Sequence, residues 1–199
     1  DVYKRQTQWS KKAGKTFIGS AARYLNTYSY VLTKMMYENL RKQSDNRASV
    51  LTRSAFAGQQ RFGTSIWSGD IYASWDVLKK QLVAGLNICM TGIPYWTTDI
   101  GGFRVRSREN SGEGTGEIST EIHRNISSCD GGYAKGLKDS AYLELYTRWF
   151  QYGALSPIFR AHGTEVPREI WHFGEPGSLF YDIQVEMIHL RYSLLSYIY

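Results

Sequence analysis

Hydrophobic residues recur along this chain with two periodicities, and their alternation predicts the order of its helices and strands. A spacing of three or four residues predicts helices over residues 21–42, 72–86, 140–153 and 181–199. Short apolar runs between turn residues predict strands over 48–52, 87–91 and 155–159, and the glycines of 58–69 predict a loop. Such alternation of helices and strands is typical of a parallel sheet in the α/β class.

The helical patterns also predict which side chains are buried. Trp75, Leu78, Leu82 and Leu86 fall on one stripe of the second helix, with Trp75 expected in the core. Ser140 can cap the third helix, whose apolar stripe places two large aromatic side chains in the core: Tyr146 and Trp149.

The length of 199 residues allows one domain but not a closed (β/α)8 barrel, which typically needs ~250 residues. Residues 101–139 are polar and glycine-rich without a periodic pattern, and loops of that length are usually functional or mobile. A dinucleotide-binding fold is disfavoured because the GEGTG sequence at 112–116 follows no strand and opens no helix. Residues 1–6 have neither an initiator Met nor an apolar core, so we interpret them as a non-native leader before a domain of 7–199.

Composition limits the classes of partner and cofactor. The net charge of +6 permits nucleic-acid binding, but the basic residues are scattered apart from Arg104, Arg106 and Arg108. Cys89 and Cys129 are too few for a disulfide scaffold or a four-ligand zinc site, and the histidines lack metal-ligand spacing, so no metal or other cofactor is expected. No apolar run approaches the ~20 residues of a membrane span. The compartment and the oligomeric state cannot be read from the sequence.

Polar residues follow each predicted strand, at the end where parallel barrels gather their functional groups. Arg53 and then Asp70 follow the first strand, Asp99 follows the second and His162 follows the third. Aromatic residues accompany them, and aromatic faces stack on sugar rings while Asp, Arg and His bind hydroxyls. This composition predicts a sugar-binding pocket.

Four motifs occur here in order: RSAFAG at 53–58, WSGD at 67–70, YWTTDIGGF at 95–103 and FRAHG at 159–163. Together they closely resemble glycoside hydrolase family 31, the family of α-glucosidases and α-xylosidases. The resemblance implies a (β/α)8 TIM barrel and retaining hydrolysis of α-linked oligosaccharides in carbohydrate metabolism. It implies that Asp70 is the general acid/base. The expected sugar-binding residues are Arg53, Trp67, Asp99, Phe103 and His162.

One expected residue is missing. In the family the nucleophilic aspartate ends the fourth barrel strand, upstream of the helix that begins here near Ala21, yet residues 7–20 contain no carboxylate. We therefore expect a fragment with about strands five to seven of the barrel, lacking the nucleophile and inactive alone. The same absence motivates an alternative, a non-catalytic carbohydrate-binding protein that uses this half of the pocket. Asp99 could bind a sugar hydroxyl or support its own turn, and the choice between glucose and xylose stays open.

Overall fold

The computed structural model describes residues 14–105 and 132–198. These residues fall into two compact units that divide between Ile66 and Trp67. Each unit is described by itself. The proposed leader, two of the clustered arginines, the GEGTG sequence and Cys129 lie outside the described residues.

The first unit combines a small hairpin, a helix and a parallel strand pair. Strands β1 (Lys15–Thr16) and β2 (Gly19–Ser20) are antiparallel, and α1 (Ala21–Tyr24) follows directly. A 3₁₀ turn, Leu25–Thr27, separates α1 from α2 (Tyr28–Gln43), so the single helix predicted over 21–42 is interrupted. Strand β3 (Val50–Thr52) confirms the first predicted strand and pairs in parallel with β4 (Thr64–Trp67), with Val50 opposite Thr64.

A buried glutamine ties α2 to the connection between β3 and β4. Gln59 lies in a 3₁₀ turn, Gln59–Phe62, and is fully buried. Its Oε1 accepts from the Ser29 hydroxyl of α2 at 3.0 Å, and its Nε2 donates to the Ser54 carbonyl at 3.1 Å. Each polar group of the side chain is therefore satisfied, as burial demands. The prediction of a loop throughout 58–69 is wrong at β4, where Thr64 and Ser65 are buried despite their polarity.

The second unit begins at Trp67, the last residue of β4, and contains α3 (Trp75–Met90), β5 (Trp96–Thr97), α4 (Ser140–Ala154), α5 (Leu179–Ser193) and α6 (Leu195–Ile198). The strand predicted over 87–91 is wrong, because α3 runs through Met90 and ends before Gly92, which has a φ of 84°. The strand predicted over 155–159 is also wrong, since these residues form turns and bends. No helix among the described residues has the length and apolarity to cross a bilayer.

Helix α4 carries the core of the second unit. Tyr146 and Trp149 are fully buried, as predicted, whereas Trp75 is 47% exposed and the prediction that it lies in the core is wrong. Helix α3 buries Val77, Gln81 and Gly85 rather than its leucines. Helix α4 begins one residue earlier than a Ser140 cap would require, because the Asp139 carboxylate accepts from the Ala141 N–H at 3.1 Å. The aromatic side chains of α4 pack on the segments that carry the candidate site.

Candidate active site

The first site segment follows β4. Trp67, at the end of β4, is half-buried, and the Arg160 guanidinium lies 5.9 Å from the centre of its indole ring. This distance is within the range of a cation–π interaction. Gly69 has a φ of 85°, which a side-chain-bearing residue rarely adopts, and it turns the chain so that Asp70 reaches the surface. An exposed carboxylate at a strand end is accessible to a substrate.

The second segment holds a buried carboxylate directly after β5. Asp99 is fully buried, and its Oδ1 accepts a charge-assisted hydrogen bond from Nη2 of Arg160, whose side chain keeps 22% exposure. Burial raises the pKa of Asp99 because a charge is costly away from water. The Arg160 guanidinium is the largest influence that lowers this pKa, and the Asp70 carboxylate raises it slightly.

Two consecutive glycines shape the segment after Asp99. Gly101 and Gly102 both have a φ of 80°, and a Cβ at Gly102 would lie 2.4 Å from the backbone nitrogen of Ala73. Only glycine allows the backbones to approach this closely. The next residue, Phe103, is half-buried, and its ring centre lies 5.6 Å from that of His162. The backbone N–H of Thr164 donates to the Phe103 carbonyl at 2.9 Å and holds the two loops together.

The second unit thus brings together five of the six predicted site residues: Trp67, Asp70, Asp99, Phe103 and His162. The sixth, Arg53, lies one residue beyond β3 in the first unit and is exposed. Sequence reasoning gave no role to Arg160, although it was part of the FRAHG motif. The sequence indicated a role for Arg160 only through its position, two residues before the predicted sugar-binding residue His162.

The second-unit arrangement suits a polyhydroxylated ligand. Asp70 offers an exposed carboxylate, and Arg160, held by the buried Asp99, offers a partly exposed guanidinium. The Trp67 and Phe103 rings add flat apolar faces. These are the groups that bind the rims and faces of a pyranose ring. Within residues 14–105 and 132–198, no cluster of three or more His, Cys, Asp or Glu side chains is arranged to hold a metal ion.

Comparison with known proteins identifies the relatives of this chain. The model of the TIM-barrel domain of glycosyl hydrolases family 31 matches residues 2–199. An α-xylosidase of Saccharolobus solfataricus is 40% identical over 182 residues, which cover 92% of this chain and 20% of that protein. Human neutral α-glucosidase C is 34% identical over 178 residues, covering 87% of this chain and 15% of that protein.

Solved structures agree with these sequence matches. The family 31 α-xylosidase of Xanthomonas citri has 35% identity and a TM-score of 0.77, covering 96% of this chain and 18% of that one. A soil-metagenome α-xylosidase solved with xylose has 30% identity and a TM-score of 0.71, covering 92% of this chain and 25% of that one. The α/β barrel fold is therefore shown. The chain spans roughly a fifth of the length of these relatives.

Proposed function

Because this chain belongs to glycosyl hydrolase family 31, we propose that it supplies the acid/base half of a retaining α-glycosidase site. The observation that carries the proposal is an exposed carboxylate, Asp70, within electrostatic reach of the buried Asp99–Arg160 pair. In this proposal the chain carries about strands five to seven of the eight-stranded barrel. The substrates are α-linked glucosides or xylosides, since the relatives named above are α-xylosidases and an α-glucosidase.

Asp70 is the general acid and then the general base. It protonates the leaving oxygen as the glycosidic bond breaks, and it later removes a proton from the attacking water. Its exposure on the loop after β4 supports this role, because the leaving group must be free to depart into solvent. Retaining hydrolysis also needs a second carboxylate, roughly 5–5.5 Å away, as the nucleophile. We propose that this carboxylate lies outside the chain, because residues 7–20 contain none.

The other residues hold the sugar. Arg53 and His162 donate hydrogen bonds to hydroxyls of the sugar at the cleaved bond. Trp67 and Phe103 present ring faces to its apolar side. Asp99 acts through its contact with Arg160, and the observed ion pair favours the supporting role over direct binding of a hydroxyl. If these hydrogen bonds strengthen as the oxocarbenium-like transition state forms, they accelerate the chemical step.

The test joins residues 7–199 to the parts of the Xanthomonas citri α-xylosidase that precede and follow the matching segment. We call this chimera the reconstituted enzyme. We expect it to hydrolyse aryl α-xylosides or aryl α-glucosides, and we expect the 199-residue chain alone to show no turnover. Acid catalysis without a nucleophile contributes only ~10²–10⁴-fold, which is too little for detection.

Asp70→Asn then separates acid catalysis from binding. Substrates with poor leaving groups should lose far more kcat/KM than nitrophenyl glycosides do, because kcat/KM reports formation of the glycosyl-enzyme and good leaving groups need little protonation in that step. Asp45→Asn, in the exposed turn after α2, is the matched control and should leave both rates unchanged. Equal losses of kcat/KM on both substrate types would contradict the acid/base role. Sugar binding without turnover in the folded reconstituted enzyme would favour the carbohydrate-binding alternative.

A further inference from the structure

The two loops that carry Phe103 and His162 meet at a buried arginine outside the four sequence motifs. Arg168 lies in the segment between the His162 loop and α5, and it is only 9% exposed. Its Nη2 donates to the Gly102 carbonyl at 2.7 Å, on the residue directly before Phe103. This bond joins positions that are 66 residues apart in sequence.

The same guanidinium also touches the His162 loop. A Cβ at Gly163, the residue directly after His162, would lie 2.2 Å from Nη2 of Arg168 and 2.8 Å from its Cζ. The backbone of Gly163 therefore packs directly on the guanidinium. One planar group contacts the residue before Phe103 and the residue after His162, whose rings lie 5.6 Å apart.

Helix α4 fixes the guanidinium itself. Nη1 of Arg168 donates to the Tyr142 hydroxyl at 2.8 Å and to the Val166 carbonyl at 3.2 Å. The Tyr146 hydroxyl donates to the Arg168 carbonyl at 2.8 Å. Both tyrosines are fully buried in the core of the second unit. The arginine thus connects the site loops to the helix that carries the core of that unit.

The chemistry of this position requires arginine. Its planar fork can donate to Gly102 and Tyr142 at the same time, whereas a lysine ammonium is a single point that can reach only one of them. The bend of the His162 loop is constrained as well, since Glu165 has a φ of 73°, a conformation that costs energy in a residue with a side chain. The Glu165 carboxylate accepts from the Val105 N–H at 2.8 Å and adds a second tie between the loops.

We propose that Arg168 is a positioning residue of the glycosidase site, which sets the separation of Phe103 and His162 and so shapes the pocket for the sugar ring at the cleaved bond. The inference rests on the proposed function for its kinetic consequence, but not for its geometry. Misplacing site residues by about 1 Å can cost up to 100-fold in rate. We therefore expect an Arg168 substitution to lower mainly kcat, because the contacts of Phe103 and His162 with the sugar contribute most in the transition state.

The experiment compares Arg168→Lys and Arg168→Met with Arg148→Met in the reconstituted enzyme. Arg148 is an exposed arginine of α4 and serves as the matched control. We expect kcat to fall about 10- to 100-fold in both Arg168 variants, with KM changing less than about threefold, and no change in the control. Crystal structures of the variants should show the rings of Phe103 and His162 displaced from their 5.6 Å separation.

Several results would overturn the proposal. Unchanged kcat per folded molecule in either Arg168 variant, with only a lower melting temperature, would mean that Arg168 is merely structural. If Arg168→Met does not fold, the kcat of Arg168→Lys alone distinguishes the positioning role from a structural one, since lysine keeps the charge and most of the packing. A wild-type crystal structure in which the guanidinium does not bond to the Gly102 carbonyl would also refute it. Should the folded reconstituted enzyme be inactive, the proposed function fails, and the ring separation in Arg168→Lys still tests the positioning role.

Discussion

Breaking the Asp99–Arg160 ion pair should destabilise the site loops, and the two single changes should not cost the same. Arg160→Met leaves the fully buried Asp99 carboxylate without its cation. Removing one partner of a buried pair typically costs about 3–5 kcal/mol. Asp99→Asn leaves an arginine that keeps 22% exposure and still lies over the Trp67 ring, so we expect a smaller cost of about 1–3 kcal/mol.

The pH dependence distinguishes this explanation from a simple loss of packing. Burial raises the pKa of Asp99 in the folded protein, and removal of Arg160 removes the largest opposing influence. A carboxyl whose pKa is raised on folding contributes stability that is complete below the unfolded pKa of about 3.9 and is lost as pH rises through the folded pKa. Arg160→Met should therefore become more stable as pH falls from 7 to 5, by at most about 1.4 kcal/mol per pH unit. Asp99→Asn should lack this dependence.

Hydrogen exchange across a urea series measures the free energy of local opening in peptides that cover residues 96–103 and 156–162 of the reconstituted enzyme. The double variant should be more stable than the sum of the single losses implies, by about 1–3 kcal/mol. Arg148→Met, which breaks an exposed pair with Glu144 at 3.8 Å, is the control and should change little. Additivity within about 0.5 kcal/mol, or a loss of stability of Arg160→Met between pH 7 and 5, would refute the reasoning.

Three further predictions concern the same unit. In urea unfolding, Gly101→Ala should destabilise the second unit by about 2–4 kcal/mol, because a Cβ there would lie 2.3 Å from the Tyr146 ring. Gly177→Ala is the control: Gly177 has a φ of 93° but open space around it, so this change should cost only about 1–2 kcal/mol. Burial raises the pKa of Tyr142 to about 12, so stability should fall as pH rises from about 10 to 12, and Tyr142→Phe should reduce that fall in alkaline melting curves. His162→Ala should lower kcat/KM at least about tenfold, and a normal value would remove it from the pocket.

Helix α4 was predictable from its apolar pattern, although its N-cap is Asp139 rather than Ser140. Its apolar residues recur with helical spacing, and both side chains expected in the core, Tyr146 and Trp149, are fully buried. The site loops were recognisable for a different reason. Their motifs are short, and each spans a few consecutive residues in which the functional groups stand next to their glycines.

The strands were harder to predict because short apolar runs do not distinguish a strand from a buried helix segment. Residues 87–91 are such a run, and α3 continues through most of it because the first glycine that can end the helix is Gly92. Strand β4 carries the opposite signal, since Thr64 and Ser65 are polar yet buried. The residue types alone therefore did not predict the helical conformation of residues 87–90 or the burial of β4.

The buried face of α3 shows how tertiary contacts override an apolar stripe. Helix α3 packs against the Trp96 ring at Gly85. A Cβ at this position would lie 2.9 Å from that ring, so the contact requires glycine. Leu82 and Leu86 are consequently 43% and 63% exposed. The role of Arg160 was hidden in the same way, because its partner Asp99 lies 61 residues away in sequence.

The most direct test of the acid/base assignment is chemical rescue of Asp70→Ala in the reconstituted enzyme. With an aryl α-xyloside the glycosyl-enzyme can still form, because the leaving group needs little protonation, but it should break down slowly without a general base. Azide needs no base, so we expect added azide to restore turnover and to yield the α-xylosyl azide, with retained configuration. Failure of azide to accelerate turnover, or formation of the β-xylosyl azide, would contradict the assignment of Asp70 as the acid/base of a retaining α-glycosidase.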